Sequence, residues 1–193
     1  ICSLLSDQVY DGRLYSAPIT ASHCIDIDEK KFPKKGGVVF LPVEHEGNSQ
    51  GSEEEAEEIA KIANKLIGAT YWKSDDDGAK LHIGWQDMLF VAPYNYQVNL
   101  LKAVLPSDAL IGSVDKFQGQ EAPIVFVSMC TSDPSESPRG LDFIFSKNRL
   151  NVAISRGQSL AIIVGSPKLG STPVGNLRQM GLVNFYSAIM EYQ

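Results

Sequence analysis

The chain has 193 residues, 44% of them apolar and 21% charged, with a formal net charge of −6. That length can bury one substantial core, and the composition is that of an ordinary globular protein rather than a disordered or fibrous one. No run of about 18 apolar residues occurs, so no membrane-spanning helix is expected, and the acidic balance weighs mildly against nucleic acid, whose generic binding relies on phosphate neutralisation by Lys and Arg.

The opening Ile1-Cys2-Ser3-Leu4 has no Met and no basic leader, and reads as a piece cut from a longer protein. Cys2, Cys24 and Cys130 are widely spaced with no CxxC, as in a protein with free thiols in the reducing cytoplasm. His23, His45 and His82 are scattered, and no set at zinc spacing predicts a metal site.

In chain order, Ile1, Leu4, Leu5 and Val9 fall near helical spacing, and Asp11-Gly12 ends the pattern. Residues 11–35 are irregular, with Pro18, Pro33 and a basic cluster of Lys30, Lys31, Lys34 and Lys35. Within them, Ile25-Asp26-Ile27-Asp28-Glu29 mimics a Walker B strand. Asp26 breaks the apolar run a buried parallel strand needs, and no GxxxxGK[ST] precedes it, so it reads as an exposed or edge strand. Val38 to Leu41 reads as a buried strand. Ser52-x-x-Glu55 is a capping-box pattern that predicts a helix from Glu53 to Ile67, with Ile59, Ile62, Ala63 and Leu66 inward. The acidic start of that helix (Glu53, Glu54, Glu55, Glu57, Glu58) reads as a solvated face favoured by the helix dipole. Asp75-Asp76-Asp77-Gly78 predicts a loop.

Strands are then expected at 88–92, 109–114, 124–129 and 160–164, and helices after Pro93, from Phe143 to Ser155 and from Leu182 to Tyr192. In the helix after Pro93, Val98, Leu101, Val104 and Leu105 can share a face, and residues 131–140 read as an exposed loop. Strands alternate with helices and are continuous apolar runs. The expected fold is therefore a three-layer α/β/α sandwich with a mainly parallel sheet, and ligands at the carboxyl ends of its strands. The whole of 1–193 reads as one such unit, with a leading helix and irregular segment (1–35) and an α/β core (36–193).

Three stretches hold residues suited to chemistry. Val114-Asp115-Lys116-Phe117-Gln118-Gly119-Gln120-Glu121 is a polar turn between two buried strands. Gly119 permits a sharp turn or close approach, and Gln118, Gln120 and Glu121 offer groups for ribose, phosphate-bound water or a strand backbone; a plain polar loop would look the same. In Asn148 to Arg156, Arg149 and Arg156 stand seven residues apart, which on a continuous helix puts both on one face. Two fixed guanidiniums suit polyphosphate, and equally suit surface ion pairs. Tyr94 and Tyr96, beside Gln97, follow a strand end and can stack a base or pack on the core edge.

These stretches resemble motifs of superfamily 1 helicases. Val114–Glu121 and Asn148–Arg156 are similar to motifs V and VI of the second RecA-like lobe. Phe90 to Gln97 resembles the apolar-Pro-Tyr-x-x-Gln motif, and Ser52 to Ala56 the Asn-x-x-Glu-Ala helix start. Ile1 to Leu14 resembles the segment after the Tyr-Arg-Met-His-Pro motif. The likeness is to the B-type branch, and Pro138-Arg139-Gly140 is most like its bacterial members, some of which carry a RecB-like nuclease.

The resemblance implies a RecA-like lobe of P-loop NTPase fold without its own P-loop. It would form the C-terminal motor lobe of an ATP-dependent helicase acting on single-stranded DNA or RNA. Arg156 would be the arginine finger. Gly119, Glu121, Gln118 and Arg149 would lie on the nucleotide side, Gln118 as a link to the track and Arg149 as a support of the motif VI helix. Tyr94, Gln97 and Ser113 would lie along the strand. ATP and Mg2+ would be held mainly by a missing N-terminal lobe, the partners would include that lobe and a fused nuclease, and the isolated piece would be inactive. Thr131 and Gln158 stand where many relatives have Arg. The rival expectation is a non-catalytic α/β interaction module derived from such a lobe.

Overall fold

The computed structural model describes residues 1–18, 20, 23–27, 32, 36–72 and 80–192. The basic cluster at 30–35, Asp28-Glu29 and the loop at 75–78 lie outside the described residues. The opening helix α1 (Cys2–Val9) is stopped by Asp11 and Gly12, both at positive φ. Five strands form the main sheet: β2 (Gly37–Pro42), β5 (Met88–Val91), β6 (Leu110–Gly112), β7 (Ala122–Ser128) and β8 (Gly157–Gly165). Their order is β2-β8-β7-β5-β6, and every neighbouring pair is parallel.

Alternate residues of each strand enter opposite cores, which makes three layers. Leu89, Val91, Val125, Val127, Ala161 and Ile163 pack towards α1, α4 (Gly140–Ile144), α5 (Lys147–Ile154) and α6 (Leu177–Glu191). Met88, Phe90, Ile124, Phe126, Leu160 and Ile162 pack towards α2 (Glu53–Leu66) and α3 (Asn95–Val104). The expected α/β sandwich is the observed one. Strands buried on both faces need apolar residues at every position, so they carried no polar alternation in the sequence.

Beside this core, β1 (Cys24–Asp26), β3 (Thr70–Trp72) and β4 (Lys80–His82) form a small antiparallel sheet of order β1-β3-β4. The Ile25 segment is thus an edge strand, as its interrupted pattern suggested, with Ile25 buried against α2. The short β3 and β4 escaped sequence reading, because three residues give no measurable period.

Three expectations change. The helix foreseen from Phe143 to Ser155 is two helices. Phe145 is fully buried against Tyr186, and the chain bends there before restarting at Lys147. The 131–140 loop is not all exposed: Thr131 is buried and donates to the Asn48 carbonyl at 3.1 Å, and Ser137 is buried as well. Only half of the capping box forms. Ser52 Oγ accepts from Glu55 N at 3.1 Å, but the Glu55 side chain turns inward instead of reaching back. The Ser52 N–H it would have met donates to Gln97 Oε1 at 2.7 Å.

Candidate functional site

The switch in connectivity organises the site. Helix α3 leaves β5 on one face of the sheet, and α4 and α5 leave β7 on the other. A crevice therefore opens between the carboxyl ends of β5 and β7, the place where parallel α/β sheets offer a ligand pocket. It holds a cavity of about 420 Å³ lined by Gln50, Pro93, Tyr94, Tyr96, Ser113, Asp115, Arg139 and Arg149, among others. Gln50 and Tyr96 also line an adjoining cavity of about 490 Å³ over the 47–54 loop and the start of α2. The two make a groove across this edge of the sheet, with Tyr96 between them, 57% exposed.

The two tyrosines divide the alternatives left open by the sequence. Tyr94 is the packing residue: it is buried, its ring lies 5.2 Å from Phe143, and its hydroxyl bonds Ser137. Tyr96 is the one free to meet a ligand. Gln97 does not reach the groove. It is fully buried, and besides accepting from Ser52 N it donates to the Ser52 carbonyl at 3.1 Å, so its amide clasps α2 to α3.

Gln118, Gly119 and Glu121 lie elsewhere. The segment 113–121 leaves the carboxyl end of β6 and must reach the amino end of parallel β7, so it crosses the sheet from one edge to the other. Buried Phe117 anchors it halfway. Gln118, Gly119 and Glu121 are exposed past that anchor. Gly119 has φ +82°, and a Cβ there would touch nothing within 4 Å, so the glycine serves the backbone turn and not a close approach.

Arg156 lies at the same amino edge, just before β8. Its Nε donates to the Val152 carbonyl at 3.0 Å, and its terminal nitrogens reach Ser155 Oγ at 3.2 Å and the Gln120 carbonyl at 3.4 Å. All these acceptors are neutral, and no ion pair is formed among the described residues, so the guanidinium is oriented while its charge stays uncompensated. Beside it, Glu121, Ser155 and Gln158 line a cavity of about 380 Å³. Gln158 also accepts from the Tyr71 hydroxyl at 3.0 Å.

The expectation that Arg149 and Arg156 share one helix face is not met. Helix α5 ends at Ile154, so Arg156 lies beyond the last turn and the helical spacing does not apply to it. Arg149 projects instead into the carboxyl-edge cavity, pairs with Asp115 at 3.0 Å and stacks on Phe143. The two arginines thus serve opposite edges of the sheet, Arg149 the carboxyl-edge cavity and Arg156 the amino end of β8.

One group was missed. Glu55, read with its acidic neighbours as solvated, is fully buried. Its carboxylate accepts from His45 Nε2 at 2.9 Å, Ser128 Oγ at 2.6 Å and the Cys130 N–H at 3.0 Å. Cys130 takes φ +51° to aim that N–H. His45 Nδ1 bonds Ser132 Oγ at 2.7 Å, and Ser132 Oγ accepts from Asn48 N at 3.1 Å. The network ties the 44–52 loop to the 129–132 turn, and through Asn48 it reaches the wall of the carboxyl-edge groove. Burial, and next the Glu55 charge, push the Cys130 thiol well above its ordinary pKa. The signal was in the register: Glu55 falls four and seven residues before Ile59 and Ile62, on the buried stripe.

The family described as AAA domain matches residues 1–168. Among curated proteins, the chain is 26% identical over 190 residues to the "Probable RNA helicase armi" of Drosophila melanogaster, covering 88% of this chain and 15% of that protein. It is 33% identical over 192 residues to the "Regulator of nonsense transcripts 1 homolog" of the same organism, covering 94% and 15%. To the "DNA polymerase alpha-associated DNA helicase A" of Schizosaccharomyces pombe it is 36% identical over 83 residues, covering 42% and 12%. The chain thus spans about 15% of the length of the first two. These relatives are eukaryotic and lend nothing to the likeness to bacterial members. The chain belongs to the AAA domain family.

Proposed function

We propose that this lobe is the finger-bearing second motor lobe of an ATP-dependent helicase that moves on single-stranded DNA or RNA. The observation that carries the reading is the separation of two sites by one sheet. An uncompensated, oriented Arg156 lies with Glu121 at the amino edge, and a groove with an exposed tyrosine, a serine hydroxyl and two arginines lies at the carboxyl edge. Two segments, 113–121 and α5, run from one edge to the other.

ATP and its magnesium ion would be held by a companion RecA-like lobe facing the amino edge. When bound, they supply the phosphoryl group and neutralise part of its charge. Arg156 would then stabilise charge on the transferring phosphoryl group, a task suited to a planar, permanently charged guanidinium. Tyr96 would stack a base and Ser113 would bond the strand backbone. The B-type, 5′ to 3′ assignment and a fused nuclease rest on the sequence resemblance, and a cytoplasmic location is an expectation from the scattered cysteines.

The test is Arg156→Ala in the intact protein. Strand-stimulated ATP turnover should fall by about 10³-fold or more, with single-strand affinity in the absence of nucleotide nearly unchanged. Arg156→Lys should rescue poorly, because a point charge lacks the fork. Near-normal turnover, or loss of strand binding without ATP, would remove the finger assignment.

A further inference from the structure

We propose that Arg139 and Arg149 form a clamp for one backbone phosphate of the bound strand, and that Asp115 occupies that place when no strand is present. This rests on the reading of the carboxyl-edge groove as the strand track. The two guanidinium carbons lie 4.6 and 4.5 Å from the centre of one ring, Phe143. Phe143 is held in turn against Tyr94 in the wall of the cavity. Arg139 is placed by its turn: Gly140 takes φ +67° as α4 begins, with Arg139 as the residue before the helix. The one ring attracts both cations, and both arginines line the same cavity.

The charge balance is incomplete. Arg149 bonds Asp115 at 3.0 Å, while Arg139 makes no ion pair or hydrogen bond among the described residues. Of the two guanidiniums lining the cavity, only Arg149 therefore has a carboxylate partner among the described residues. That carboxylate is 80% exposed, whereas the Arg149 side chain is 27% exposed and its Nε is buried without an acceptor. A pair with one partner in water contributes little, so moving Asp115 aside is cheap. A phosphate oxygen offers both guanidiniums charge-assisted bonds, which are the stronger kind. The sequence alone gave Pro138-Arg139-Gly140 no task; the fold brings it to Arg149 across one aromatic ring.

The test measures binding of a fluorescent oligothymidylate to the intact protein, without nucleotide, across a salt series. Arg139→Ala should weaken binding about tenfold and lower the slope of log K against log salt by about 0.7, the loss of one phosphate contact on a single strand. Arg139→Lys should keep the slope. Asp115→Asn should tighten binding about threefold. Tyr96→Ala, as the independent probe of the track, should weaken binding about tenfold through lost stacking. If Tyr96→Ala weakens binding while Arg139→Ala and Asp115→Asn leave affinity and slope unchanged, the clamp is wrong and the track stands. If none of these variants alters strand affinity, the groove is not the track and both readings fall. If Arg139→Ala weakens ATP binding and not strand binding, the anion is a nucleotide phosphate and the clamp as stated is overturned.

Discussion

Replacing Glu55 tests how much of the fold rests on one buried carboxylate. Glu55→Ala removes the acceptor of His45 Nε2, Ser128 Oγ and the Cys130 N–H at once, in a site with no water access. Breaking a buried ionisable pair by removing one partner costs about 3–5 kcal/mol, and each buried donor left without an acceptor costs roughly 1–3 kcal/mol. These figures overlap in what they count, so the expected loss is about 4 kcal/mol. Against a typical total stability of about 5–15 kcal/mol, that is a large share. Glu55→Gln keeps the shape and one acceptor oxygen and should cost roughly half as much. Glu57→Ala, on the exposed side of the same helix, should stay within about 0.5 kcal/mol. Urea unfolding of the four proteins, read as midpoint shifts at constant m, measures all of this. In a cycle with His45→Ala, the coupling should lie between about 0.5 and 3 kcal/mol. If Glu55→Ala unfolds within about 1 kcal/mol of Glu57→Ala, the network is ornamental and burial of the carboxylate has been misjudged.

Other outcomes follow from the same structure. Cys130, buried and with its thiol pKa raised, should resist iodoacetamide in the folded protein while half-exposed Cys2 and Cys24 react; brisk labelling of Cys130 at neutral pH would show the 129–132 turn to be open. Glu54 has its pKa lowered, first by its own backbone N–H and further by Ser52 and Asn48, so its contribution is fully present above the ordinary carboxylate pKa of about 4.3 and is lost as pH falls through the lower folded value. Glu54→Gln should accordingly flatten the acid side of a Tm-against-pH curve and leave stability at pH 2 unchanged. The isolated 193-residue chain should release no phosphate from ATP with or without a strand, and measurable stimulated release would contradict a one-sided site. The intact protein should unwind duplexes with a 5′ overhang in preference to a 3′ overhang; the opposite preference would move it to the other branch of the superfamily.

What could be read before folding, and what could not, divides along physical lines. Continuous apolar runs such as Ile124-Val125-Phe126-Val127 announced strands covered on both faces, and parallel order followed from the alternation of elements. Gly119 announced a turn. Side-chain direction at helix ends was not legible. That the expected helix splits depends on Phe145 being drawn into the core, and that α5 stops short of Arg156 depends on the turn at Ser155, both tertiary effects. The acidic run around Glu55 looked uniform because composition ignores register, yet the helical period that found Ile59 and Ile62 also marks Glu55. Gln97 was expected along the strand from the resemblance alone, and nothing in the sequence marked it as the partner of the Ser52 backbone.

That substitution matters for how the lobe works. Had Glu55 closed the capping box, the start of α2 would be self-contained. Instead Glu55 reaches the 129–132 turn through Ser128 and Cys130, and Gln97 holds the vacated Ser52 N–H from α3. The helix start is thereby tied to the two strands whose carboxyl ends frame the groove, β5 through α3 and β7 directly. Residues 47–51, which form one wall of the groove, hang from that junction through Asn48 and Ser132. The groove wall is thus fixed to the sheet by buried hydrogen bonds, while at the opposite edge Arg156 hangs from the neutral carbonyls and hydroxyl of Val152, Gln120 and Ser155. On the proposed reading, the strand would lie against a wall held by these bonds, and the oriented Arg156 guanidinium would meet the phosphate from the other edge. Movement at the phosphate end would then reach the strand through α5 and the 113–121 crossing, the two segments that run from one edge to the other.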